Sequence, residues 1–117
     1  PKPKEHGLGN QIEGHYEKGR KVVVIEDLVS TGKSSLQVVD VLKEQGLDVI
    51  GMVSIFTYGF SQADKAFEAA ALTFYSLTDY PTLIGLAIER GMIAADQQEL
   101  LLQWQEDPAG WKGSLKV

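Results

Sequence analysis

The sequence predicts an α/β fold, a Rossmann-like parallel sheet flanked by helices, and three observations carry that prediction. Val22–Ile25 is an unbroken β-branched run of the kind found in strands buried on both faces. Two more apolar runs, Val49–Phe56 and Leu72–Leu77, follow with room for a helix before each. The segments between them show helical spacing with a glycine stop or a polar start. Strand, helix, strand, helix, strand is a βαβαβ unit, for which right-handed crossovers are expected.

Taken in order, residues 1–21 (PKPKEHGLGNQIEGHYEKGRK) carry Pro1, Pro3, Gly7, Gly9, Gly14 and Gly19 without helical periodicity. They read as a mobile loop with at most a short hairpin around Asn10–Glu13. The first strand, Val22–Ile25, runs directly into Glu26-Asp27 at its carboxyl end. From Lys33 the positions Leu36, Val39 and Leu42, with Val38 and Val41, give a helix stopped by Gly46. Ser61, with Asp64 three residues on, opens a short helix over Gln62–Ala71. Asp79 caps a helix to Arg90 with Gly91 as its stop, and Asp96 caps another through Trp104. Ile93, Leu100, Leu101, Leu102 and Trp104 form an apolar face wide enough to cover the sheet. Tyr75 and Trp104 are expected in the core or at a subunit interface. The reading divides the chain into a loop-and-hairpin segment, 1–21, and a core, 22–117.

The chain has 117 residues, enough for one modest core. It begins Pro-Lys-Pro, so it is expected to be a piece of a longer protein. No run of about eighteen apolar residues and no charged-then-apolar leader is present, which argues for a soluble chain outside the membrane. The chain has no cysteine, which excludes disulfides and thiolate chemistry and fits a cytoplasmic location. The net charge of −5 is uneven: residues 1–21 are locally basic, and the body is acidic. An acidic body argues against nucleic acid as a partner, whereas a basic, glycine-rich leader suits a small polyanion.

The stretch VVVIEDLVSTGKSS, residues 22–35, carries the chemistry. Ligands of open parallel sheets sit at the carboxyl ends of the strands, where Glu26 and Asp27 fall. Ser30-Thr31-Gly32-Lys33-Ser34-Ser35 then make the loop and first turn of a helix. Its amides and partial positive charge suit a phosphate monoester, and glycine permits close approach. Two carboxylates beside a phosphate need donors or a cation. A ribose supplies adjacent hydroxyl donors, and magnesium can bridge sugar and pyrophosphate oxygens. The residues therefore read as a grip on a ribose 5-phosphate. A nucleotide-triphosphatase P-loop is disfavoured, because its first glycine would fall at Asp27.

VVVIEDLVSTGKSS resembles the phosphoribosyl-pyrophosphate (PRPP) motif of type I phosphoribosyltransferases, and KPKEHGLGNQIEG resembles the catalytic loop of the orotate phosphoribosyltransferases in particular. The likeness extends through SIFTYGF and FYSLTDY and so spans most of the chain. It implies the type I phosphoribosyltransferase fold, incomplete here, and transfer of ribose 5-phosphate from PRPP to orotate with release of pyrophosphate. By resemblance, Glu26, Asp27, Leu28, Val29, Ser30, Thr31, Gly32, Lys33, Ser34 and Ser35 bind PRPP. Lys2, Lys4 and His6 close over its pyrophosphate in the neighbouring subunit of a homodimer. Lys4, His6 and Asp27 are the implied catalytic residues, with Ser30 and Tyr58 near orotate. Mg2+ is implied as a companion of PRPP, with no direct protein ligand. Two positions depart from the pattern. Pro1 stands where many members have a cation, with Lys2 as its substitute, and Tyr58 stands where some have arginine. A transferase for another nucleobase and a non-catalytic PRPP-sensing domain remain the alternatives.

Overall fold

A computed structural model describes residues 12–111. Eight segments follow one another: β1 (Lys21–Val29), α1 (Lys33–Glu44), β2 (Asp48–Thr57), α2 (Ser61–Ala69), β3 (Phe74–Asp79), α3 (Tyr80–Glu89), a 3-10 turn (Ala95–Gln97) and α4 (Gln98–Glu106). The strands form one parallel sheet in the order β1-β2-β3, as the βαβαβ reading expects. Residues 12–20 hold turns and bends, and the hairpin expected around Asn10–Glu13 lies partly outside the described residues.

Helix ends account for most differences between expected and observed boundaries. α1 closes with the Leu47 amide on the Leu42 carbonyl and the Gly46 amide on the Lys43 carbonyl, while Gly46 takes φ 87°. This is a Schellman closure, in which a left-handed residue lets two amides return to the last turn. α2 ends the same way through Ala71 at φ 53°, with Leu72 bonding back to Phe67. That closure consumes Ala71 and Leu72, so the helix stops at Ala69 and β3 begins at Phe74, two residues later than the hydrophobic run suggested. Ser61 is not a cap: Phe60 holds that position. Asp79 is one, accepting from the Thr82 amide at 2.9 Å.

One face of the sheet is covered. Val24, Met52 and Phe74 stand in register across the three strands, and Val39 from α1 with Ala63 and Phe67 from α2 close over them. The Phe67 and Phe74 rings lie 4.8 Å apart. On the other face Ile25, Val53 and Tyr75 are in register, flanked by Val23, Ile55 and Leu77 through strand alternation. There Ile25 is 70%, Tyr75 70% and Leu77 77% exposed. Parallel sheets bury both faces, so the described residues supply one of two coverings. α4 does not supply the other, as its apolar face had suggested. It packs instead on α3 and on the residues after β2. Tyr75, expected in a core or interface, lies on the open face. Among the described residues no helix is long and apolar enough to cross a membrane.

Candidate functional site

β1 runs four residues beyond the expected strand, through Val29, because β2 holds its end. The Val29 carbonyl accepts from the Tyr58 amide at 3.1 Å and from the Thr57 hydroxyl at 3.4 Å. Glu26 and Asp27 therefore lie within the strand near its carboxyl end, and not in the loop beyond it. Alternation along the strand puts Glu26 on the face of its register partner Ser54 and Asp27 on the opposite face. The two carboxylates thus flank the strand end. Glu26 is half-buried and Asp27 exposed, and one Asp27 oxygen accepts from the Leu28 amide at 2.7 Å.

Beyond β1 come Ser30, exposed, and Thr31, half-buried. Gly32 follows at φ 84° as the N-cap of α1, and it supplies no side-chain capping bond. The helix ladder starts with the Leu36 amide on the Gly32 carbonyl at 3.0 Å. The first amides of a helix have no intrahelical acceptor, and among the described residues only Lys33 has a local one, the Thr31 hydroxyl at 3.4 Å. A glycine cap over open amides leaves room for an anion where serine or aspartate would fill the place. Lys33 and Ser34 are exposed beside this turn.

Not every expected contact residue presents its side chain there. Ser35 is 2% and Val29 1% exposed, so both side chains belong to the core and only their backbones border the turn. Lys2, Lys4 and His6 lie outside the described residues. Tyr58, the expected orotate contact, sits just past the end of β2 in a cluster of rings. It stacks on Phe60 at 5.1 Å with planes 5° apart and meets Phe56 and Trp104 edge-on at 5.3 and 5.7 Å. Its carbonyl accepts from the Gln105 amide group at 2.6 Å. Tyr80 completes the cluster and donates to the Leu101 carbonyl. Burial, and then the neighbouring Tyr58, push the Tyr80 phenol up from its ordinary value. The cluster was missed in the sequence, although Phe56, Tyr58 and Phe60 repeat at strand spacing and mark it.

Among the described residues no group of three or more His, Asp or Glu side chains could hold a metal.

No protein-family model matches the sequence. The chain is 46% identical over 112 residues to the orotate phosphoribosyltransferase of Cytophaga hutchinsonii, covering 96% of this chain and 54% of that protein. Over 107 residues it is 52% identical to the orotate phosphoribosyltransferase of Bacillus subtilis, covering 92% and 50%. Among solved structures, Leishmania donovani UMP synthase superposes with a TM-score of 0.75 at 26% identity, over 88% of this chain and 23% of that one. The Mycobacterium tuberculosis orotate phosphoribosyltransferase in complex with PRPP gives 0.51 at 31% identity, over 57% and 41%.

A parallel sheet with this strand-loop-helix at its carboxyl end is the type I phosphoribosyltransferase fold. Within that class the chain belongs with the orotate phosphoribosyltransferases. It spans about half the length of the curated relatives it matches.

Proposed function

We propose that the protein to which this chain belongs transfers ribose 5-phosphate from PRPP to orotate, giving orotidine 5′-monophosphate and pyrophosphate. One observation carries the reading: Glu26 and Asp27 flank the end of β1 one turn before a glycine-capped helix with open amides. In this reading the carboxylates accept from the ribose hydroxyls, and the turn from Thr31 to Ser34 holds the 5′-phosphate through N–H donors. Ser30 and Tyr58 border the base. Lys4 and His6, with Lys2, bring positive charge to the departing pyrophosphate from the neighbouring subunit of a homodimer. Magnesium carried by PRPP neutralises pyrophosphate charge. The chemistry suits a cytoplasmic enzyme of pyrimidine synthesis.

The test is turnover by the full-length polypeptide given PRPP and a choice of bases. Consumption of orotate supports the reading; consumption of a purine in its place overturns the base assignment. An Asp27→Asn variant keeps the shape but removes the charged acceptor. It should lose about 1–3 kcal/mol of transition-state stabilisation. The isolated 117-residue chain is expected to show little turnover, and a rate near that of the whole protein would contradict the need for the remaining half.

A further inference from the structure

The turn proposed to hold the 5′-phosphate has few polar bonds of its own. Gly32 has a left-handed backbone and no side chain, and the Thr31 hydroxyl reaches the Lys33 amide only at 3.4 Å. A glycine so placed is free to move among several backbone conformations unless something restricts it. The restriction comes from below. A Cβ added to Gly32 would stand 2.9 Å from Phe67 Cε1 and 3.0 Å from Cζ, with the Ala63 Cα at 3.5 Å. Phe67 is 3% exposed and cannot retreat, because Phe74 backs its ring at 4.8 Å.

We propose that Phe67 is a positioning residue for PRPP: its ring, in contact with Gly32, fixes the pitch of the turn and so aims the first amides of α1 at the phosphate. The proposal rests on the phosphate reading of that turn. It adds a residue from α2, thirty-five positions downstream of Gly32, that touches no ligand. Hydrogen bonds to an anion depend on direction as well as distance, so a loosened turn loses affinity for the phosphate end of the substrate alone. Binding of the base and the chemical step at saturation are not affected.

The experiment uses the full-length polypeptide with PRPP and orotate. Phe67→Leu shortens the support; Phe67→Met, whose unbranched side chain adapts to irregular gaps, serves if the first variant folds poorly. Ile84→Ala, which empties a buried site on α3 outside the Phe67 cluster, controls for general loss of stability. The Phe67 variants should raise KM for PRPP about tenfold, the worth of about one well-aimed hydrogen bond, with kcat and the KM for orotate unmoved. Ile84→Ala should lower the melting temperature and leave all three constants in place. An unchanged PRPP KM in the Phe67 variants, or an equal rise in Ile84→Ala, overturns the proposal. Ribose 5-phosphate and ribose as competitors of PRPP separate the two levels. If ribose 5-phosphate competes far better than ribose while the Phe67 variants leave the PRPP KM unchanged, only the positioning role falls. If the two sugars compete equally, the phosphate reading falls and the proposal with it.

Discussion

Replacing Gly32 by alanine tests the geometry of the turn before any ligand is added. At φ 84° an L-residue is in the left-handed region, which costs about 1–2 kcal/mol. The new Cβ also meets Phe67 at 2.9 Å, inside any normal carbon contact. Because that ring is held against Phe74, relief requires the core to shift, and overpacking of this kind costs about 1–3 kcal/mol. Together the two effects amount to about 2–5 kcal/mol, a large share of the roughly 5–15 kcal/mol that holds a domain folded. Urea unfolding followed by far-UV circular dichroism measures the change as a lower midpoint at constant slope. Gly85→Ala is the control, since a Cβ there meets nothing within 4 Å in the middle of α3. It should hold or raise stability. A loss at Gly32 below about 1 kcal/mol would refute the strained-turn argument.

Further outcomes follow from the same geometry. Ala71→Gly relieves an alanine held at φ 53° in the closure of α2 and should stabilise the chain by about 1 kcal/mol in the same unfolding assay. Asp79→Ala removes the cap of α3 and should cost about 1 kcal/mol at neutral pH. The bond to Thr82 holds the Asp79 carboxyl below its ordinary value of 3.8. The cap therefore contributes fully above that value and fades as pH falls through the lower folded value, so parent and variant should converge in acid. Leu77→Lys with Ile25→Lys places charge on the open sheet face. Sedimentation of the isolated chain should then show less self-association than the parent, with folding unchanged.

The fold was legible because its signals are local and repeated. Apolar runs marked all three strands, and Gly46, Asp79 and Gly91 marked helix ends that the structure places where the spacing put them. The turn between β1 and α1 was legible for the same reason, since acids, small residues and glycine are adjacent in the chain. What escaped depends on distance. Nothing in the sequence ties Phe67 to Gly32 or Trp104 to Tyr58, and those contacts arise only when α2 and α4 fold back toward the sheet. α4 looked able to cover the sheet because its apolar residues are numerous, but number does not determine direction, and its face is taken by α3 and the Tyr58 cluster. The length of β1 was underestimated because two acids look like a strand end, whereas the bonds at Val29 carry the ladder past them.

Diffraction from the full-length protein with PRPP bound addresses the central claim most directly. The account requires carboxylate oxygens of Glu26 and Asp27 within about 3.2 Å of the sugar hydroxyls, and the terminal phosphate seated on amides between Thr31 and Ser34. An occupied cleft with both side chains turned away from the sugar, or with the phosphate held elsewhere, would contradict it.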